Sequence, residues 1–590
     1  MRRTISYLVI LSFFSAASVA MARTEDSGTP SNELANQPTV KSDNSTKTVA
    51  PENEKGAVES ELQDLRDLIQ SQTEELHDLR ARLAAVEAGV TPLKETPVSP
   101  ATVQPSTPAV TPAITTAITP TTTPSIAATP LAAMQGTAHN MDGNNSPLFF
   151  KIGSAEFTPG GFLDFTTFYR STNVGSGIAT SFGAIPFSNL LPQGRISETR
   201  LSAQYSRLSL MVNAHVNDST TLTGYVESDF LGYQPPNAYQ TANSDSLRLR
   251  VYWADVRHGK WEFLGGQAWS LITPNRVGLS PYTPDVFYTL DEDPNFQVGL
   301  TWLRQPQVRV VYHPTSNWAV GVSAENPQQF APASVVFPST FFTPQFDNGS
   351  SSTLAPSAAT NTAVPNLDPD IIVKTAFDGH PAGHSFHVEL AGLIRSFRVL
   401  NDLTPTPTKN TITGGGGSFS FNYELIRNLH IILTSFYSDG GGRYITGLGP
   451  DVIVKPNGTL SAVHSYAGVG GFEYQATQHY MFYGYYGGAY YQRNYGFFPA
   501  PPPSTCNGVP GFACVGFGFP GSADTSNRTI QEITFGVIPT LWSNENYGRV
   551  QIITQFSYLT RSPWSILVTS GSPDTAHTYM MYTGLRYILP

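Results

Sequence analysis

Val550-Gln551-Ile552-Ile553-Thr554-Gln555-Phe556-Ser557-Tyr558 and, after a turn, Tyr579-Met580-Met581-Tyr582-Thr583-Gly584-Leu585-Arg586-Tyr587 decide the fold of this chain. In an extended strand successive side chains point to opposite faces. Val550, Ile552, Thr554, Phe556 and Tyr558 therefore share an oily face, with Gln551, Gln555, Ser557 and Arg561 opposite. The returning half sets Tyr579, Met581, Leu585, Tyr587 and Leu589 against Tyr582, Gly584 and Arg586. Tyrosines near both ends of such a hairpin suit a membrane interface. A soluble sandwich alternates as well, so the remainder of the chain must choose.

With the two of this hairpin, the alternating segments number sixteen. They lie near 155–170, 200–215, 220–231, 245–257, 261–269, 304–313, 317–325 and 369–378, then near 384–398, 412–425, 428–438, 462–475, 478–494, 528–541, 547–561 and 577–589. Every second connection is short, as at Asn217-Asp218-Ser219, His258-Gly259-Lys260 and Pro314-Thr315-Ser316, while 171–199, 270–303, 326–368, 439–461 and 495–527 are long. Short turns on one rim and long loops on the other are the habit of outer-membrane barrels. Unpaired amides in hydrocarbon cost several kcal/mol each, and only a closed sheet has no edge. The fold expected is all-β, a 16-stranded antiparallel transmembrane β-barrel over 148–590, with an N-terminal α-helical coiled-coil extension. Phe296 to Trp302 also alternates, and is assigned to the end of the third long loop because an odd count would strand a terminus.

Composition agrees with an exported β protein. Of 590 residues only 13% are charged, 12% are aromatic and 50 are glycine. A net charge of −10 argues against nucleic acid as a partner. Met-Arg-Arg, the apolar run Tyr7–Phe14 and the small residues ending at Ala22 read as a signal peptide over 1–22. A polar tail covers 23–56. Over 57–90, Leu62, Leu65, Ile69, Leu76, Leu79, Leu83 and Val86 keep heptad spacing, a seam that one helix cannot bury alone. A Pro/Thr-rich linker at 91–147 holds that helix away from the body, so the expected partners are identical copies of the chain. Cys506 and Cys514 read as a loop-stapling disulfide in preference to two free thiols.

The signal peptide, coiled coil, spacer and barrel together resemble the DcaP-like trimeric porins of Gram-negative outer membranes. The likeness is carried by Tyr225-Val226-Glu227-Ser228-Asp229-Phe230, Leu247-Arg248-Leu249-Arg250, Gly266-Gln267-Ala268-Trp269-Ser270, Arg304-Gln305-Pro306-Gln307-Val308-Arg309 and Glu325-Asn326-Pro327. Arg82-Leu83-Ala84-Ala85-Val86-Glu87 likewise resembles the signature of short trimeric coiled coils. The resemblance implies a sixteen-stranded trimer in outer-membrane lipid, its helices bundled in the periplasm, passing small anionic solutes such as dicarboxylates. The chain departs from barrels that finish on Phe, ending Tyr587-Ile588-Leu589-Pro590.

Strand parity nominates the solute path. Leu208, Leu210 and Val212 outward turn Arg207 and Ser209 inward; Leu247, Leu249 and Val251 outward leave Arg248 and Arg250 to the lumen. Arg309, Glu227, Asp229, Glu389 and Arg395 fall on the same inner parity. Two readings stand side by side: the arginines give anion preference, or they only pair with Glu227 and Asp229 in a wet core. The third long loop, with Asp285, Asp291, Glu292, Asp293 and aromatic Tyr282, Phe287 and Tyr288, is expected to enter the lumen as a constriction.

Catalysis lacks a constellation. On a strand His387 and Glu389 share a face while His384 points away, Gly414 to Gly417 lack the Lys-Ser/Thr of a phosphate loop, and neither a metal nor a cofactor is expected. The function expected is passive diffusion of small polar or anionic solutes. The alternative is a structural outer-membrane barrel that tethers the envelope, gripping peptidoglycan through its stalk.

Overall fold

The computed structural model describes residues 147–232, 245–282, 286–347, 364–446, 449–566, 571 and 573–590. The expected signal peptide, tail, coiled coil with Arg82 and Glu87, and nearly all of the linker lie outside these residues, as does Asp285.

Sixteen strands form the wall: β1 Ala155–Arg170, β2 Arg207–Asn217, β3 Thr220–Asp229, β4 Arg248–His258, β5 Trp261–Trp269, β6 Arg304–Thr315, β7 Trp318–Glu325 and β8 Asp370–Gly379. They continue as β9 Phe386–Asn401, β10 Thr408–Ile426, β11 Leu429–Asp439, β12 His464–Gln475, β13 Tyr480–Tyr491, β14 Asn527–Asn544, β15 Gly548–Pro563 and β16 Ala576–Ile588. Each pairs antiparallel with its neighbour, and β16 closes on β1 with Phe162 opposite Ile588 and Arg170 opposite Met580. Glu198–Ser202 pairs with the outer end of β1 and is a detached upper part of β2; residues 203–206 bulge between them. The segment 296–302 is not a wall strand: it belongs to the third long loop, and its bridge, Thr301 to Ile445, is to the loop after β11.

The wall's two faces differ as lipid and lumen require. Outward side chains such as Leu163, Val308, Leu390, Ile394 and Leu585 are exposed and apolar, whereas the inward row of β16 (Thr578, Met580, Tyr582, Arg586) is buried. Aromatic pairs mark both rims. Tyr437, Tyr466, Tyr490 and Trp564 follow one another at 5.1, 5.6 and 6.0 Å on the long-loop side. Phe386, Phe421 and Tyr423 cluster on the short-turn side. Such girdles belong at the two interfaces of a bilayer. The turn from β10 to β11 is tight enough to need Asn428 at φ +65°, a left-handed conformation that Asn tolerates.

One parity expectation fails. Val251, read as lipid-facing, is fully buried inside, next to the equally buried Arg250. Glu227 pairs with Val251 and Ser228 with Leu249, so Arg250 is an extra residue in β4. A bulge of one residue points two successive side chains to the same face and reverses the parity beyond it.

Candidate functional site

The described residues of the third long loop, 270–282 and 286–303, fold into the barrel and cross it. Their backbone amides donate to wall carboxylates: Leu271 to Glu325 at 2.8 Å, Asn275 to Glu389 at 3.1 Å, Gly278 to Asp378 at 3.0 Å and Val298 to Glu532 at 3.0 Å. Leu290 N–H reaches Gln555 at 2.9 Å, and Arg276 is paired with Glu473. The anchors come from β7, β8, β9, β12, β14 and β15, so the loop spans the lumen from wall to wall. Two glycines let the backbones meet. A Cβ on Gly487 of β13 would lie 1.8 Å from the carbonyl oxygen of Val298, and one on Gly299 2.2 Å from that of Gly468.

Apolar residues of the loop fill the space between these anchors. Leu271, Ile272, Leu279, Val286, Phe287, Leu290, Phe296, Val298 and Leu300 pack with inward wall residues, among them Tyr225, Trp253, Leu264, Tyr483 and Tyr485. Outer loops close over them: Tyr205 Oη donates to Leu290 O at 2.9 Å, Thr180 N–H to Asp291 O at 2.8 Å, and Arg561 Nε to Ile185 O at 2.6 Å. The loop after β11 also reaches inward, with Arg443 and Tyr444 on Asp370 at 2.7 Å each. Inward wall side chains such as Ser557, Thr534 and Glu473 are withdrawn from water altogether.

The expected path residues sit inside this assembly as ion pairs. Arg250 donates from Nε to Glu227 at 2.6 Å and from Nη1 to Asp229 at 2.6 Å; Arg248 holds Asp229 with two bonds at 2.9 and 2.5 Å. Asp293 adds itself from the loop, taking Arg207 Nη2 at 3.1 Å and Arg248 Nη2 and Arg250 Nη1 at 2.8 Å each. Arg304 lies 5.4 Å from the Trp269 ring and within the field of the same group. The arginines thus do pair with Glu227 and Asp229, in an interior that is packed and not wet. Elsewhere Arg309 bonds Gln307 and Trp269 O, Glu389 pairs with Lys374 at 2.8 Å, and Arg395 pairs with Asp451 at 2.9 Å and Asp370 at 3.3 Å. His387 Nδ1 donates to Asp378 Oδ1 at 2.7 Å, on the Glu389 side of the strand; His384 precedes the strand.

The three consecutive loop carboxyls have different surroundings. Burial pushes Asp291 up to about 7 against hydrogen bonds from Ser557, Glu532 and Gln555. Burial, with the Asp293 charge adding, pushes Glu292 up to about 8. Burial opposes ionisation of Asp293 too, yet Arg250, Arg248 and Arg207 hold it well below the ordinary carboxylate range. Cys506 and Cys514 are bonded to each other in the loop between β13 and β14, away from this interior.

Several charged residues of the interior escaped the parity reading. Asp370, Lys374 and Glu473 alternate with Ile371, Val373 and Phe472 and carry the same signal as Arg309; Arg276, Arg443 and Asp451 come from loops, where no period exists.

A closed barrel of sixteen antiparallel strands, apolar outside and crossed inside by its third long loop, is the architecture of general outer-membrane channels. No protein-family model and no curated sequence matches the chain. The crystal structure of the outer membrane channel DcaP of Acinetobacter baumannii superposes with a TM-score of 0.51 at 16% identity, covering 74% of this chain and 99% of that one. An anion-selective porin from Comamonas acidovorans aligns over 74% of this chain and 99% of its own at 8% identity, TM-score 0.39. OprB of Pseudomonas putida aligns over 73% and 94% at 11% identity, also 0.39. The chain therefore has the DcaP-like fold.

Proposed function

We propose that the chain is a homotrimeric outer-membrane porin of DcaP-like type, passing small hydrophilic solutes into the periplasm with a preference for carboxylates. The observation that carries this reading is the cluster of Arg207, Arg248, Arg250 and Arg304 around Asp293 on the loop that crosses the lumen. Four guanidiniums there face Glu227, Asp229 and Asp293, which leaves a local excess of positive charge. A ring of fixed cations at a narrow point lowers the barrier for anions and raises it for cations. The N-terminal helices would bundle the three barrels from the periplasmic side, as the heptad and its Pro/Thr spacer suggest.

Reversal potentials in a salt gradient across a planar bilayer test the reading. Wild type should favour anions, and the Arg248→Ala, Arg250→Ala double variant should move the potential toward the cation side. An unchanged potential removes these arginines from the filter. The packed interior favours one rival, a structural barrel that tethers the envelope with transport incidental. Liposome swelling in dicarboxylates and small sugars separates the two, since a tether gives none.

A further inference from the structure

The arginine cluster has a feature that ion pairing of the wall alone does not require. Glu227 and Asp229, both on β3, already engage Arg248 and Arg250 of β4 at 2.5 to 2.9 Å. The charges of β3 and β4 are thus matched between those two strands, while Arg207 of β2 and Arg304 of β6 have no partner carboxylate among the described residues in this part of the wall. Asp293 comes from the loop, and Arg207, Arg248 and Arg250 all close on its two oxygens. Donors remain after it has bound. Arg207 Nε and Nη1, Arg250 Nη2 and Arg304 Nη1 are buried and have no hydrogen-bond partner among the described residues. Arg207 and Arg250 are 1% and 0% exposed, so bulk solvent does not reach them. A buried donor left unmade carries its full desolvation penalty. The site therefore offers more donors than one carboxylate can take.

Resting on the anion reading above, we propose that Asp293 is a tethered substitute for a solute carboxylate. It occupies the arginine site from inside the chain and so holds the 290–295 part of the loop in the lumen; a diffusing dicarboxylate competes for the same guanidiniums, frees that part and opens the path. The competition is between two states of one loop, and the solute shifts them only because it binds the arginines when Asp293 has left. A tethered group acts at an effective concentration of about millimolar, which sets the solute range in which opening occurs. A second carboxylate reaches the donors that Asp293 leaves unmade, so dicarboxylates should act more strongly than monocarboxylates at equal ionic strength.

Leu290, three residues before Asp293 and 1% exposed, provides the reporter. Cys506 and Cys514 are bonded to each other, so in the full-length Leu290→Cys chain the introduced thiol is the one available to a maleimide. With Asp293 intact, labelling in detergent should accelerate at least fivefold when chloride is replaced by succinate at matched ionic strength, and less with acetate. Half of the effect should come at about millimolar succinate. Asp293→Asn in the same background should label fast with no succinate. Equal rates in succinate and chloride overturn the proposal by themselves, even where the Asp293→Asn chain does not fold. Bilayer records separate this failure from that of the porin reading. Anion-preferring current with succinate-independent labelling leaves the porin and removes the tether; succinate-dependent labelling with no current in any medium leaves the tether and removes the porin.

Discussion

Arg276 and Glu473 meet across the lumen in a two-bonded ion pair, 2.8 and 2.5 Å, one from the loop after β5 and the other from β12. Their side chains are 10% and 0% exposed, and Tyr485 Oη adds a third bond to the same carboxylate at 2.6 Å. Removing one member of a buried pair strands the other charge, at a cost of about 3–5 kcal/mol. Glu473→Ala and Arg276→Ala should each lower the unfolding temperature of the barrel markedly. The double variant should cost less than the sum of the two, a coupling that differential scanning calorimetry in detergent measures.

Gly487 offers a way to displace the loop without altering a charge. Its α-carbon faces the carbonyl of Val298 so closely that the methyl of Gly487→Ala would sit 1.8 Å from that oxygen. The wall backbone is fixed by pairing on both sides, and the loop must yield. Single-channel conductance of Gly487→Ala should exceed that of wild type, with more flicker; unchanged steps would place the loop elsewhere in the membrane-embedded protein.

Loop seating should also depend on pH. Asp291 faces Arg170 of β1, Glu532 of β14 and Gln555 and Ser557 of β15; Glu292 lies in the field of Asp293 and Arg248. Both carboxyls are raised, to about 7 and about 8. A raised acid favours the folded arrangement below its unfolded value, and that contribution is lost as pH rises through the folded value. Asp293 is shifted downward and keeps its pairs throughout this window. Conductance should therefore rise severalfold from the ordinary carboxylate range up to about pH 7 to 8 and level off above it, and Asp291→Asn together with Glu292→Gln should remove most of that dependence.

The outer face makes a simpler prediction. Ile394, near the middle of β9, is 60% exposed on the lipid side. An arginine there meets hydrocarbon at a cost of about 2–4 kcal/mol. Ile394→Arg should reduce folding into vesicles, while Thr411→Arg, on the outward face of β10 nearer the long-loop rim, should be tolerated better.

The wall was legible because lipid imposes one rule on every second residue of every strand. β5, expected at 261–269, has those limits in the structure, and the sheet closes on itself as an even count of alternating strands requires, with Phe162 opposite Ile588. The bulge at Arg250 was not legible, because one extra residue leaves the composition of β4 unchanged and its register is set by β3. Asp291, Glu292 and Asp293 could be named from the sequence as a charged patch on an aromatic loop. Their division of labour could not, since it depends on Arg207, Arg250, Glu532 and Gln555, which only the closed barrel brings to them. Arg276, Arg443 and Asp451 act on the interior from irregular backbone, where charge alone says nothing of direction.

The crossing loop brings the oily side chains and the wall brings the carboxylates that catch its amides, so neither half of this interior is complete in itself. Transplanting 270–303 into another barrel would carry the filling without its fastenings, and deleting it would leave Glu325, Glu389, Glu473 and Glu532 without their loop partners around a wide hole. A chimaera with the foreign loop should behave as an ill-fitting stopper; a loopless version should turn the tube from a lock for anions into a drain for cations.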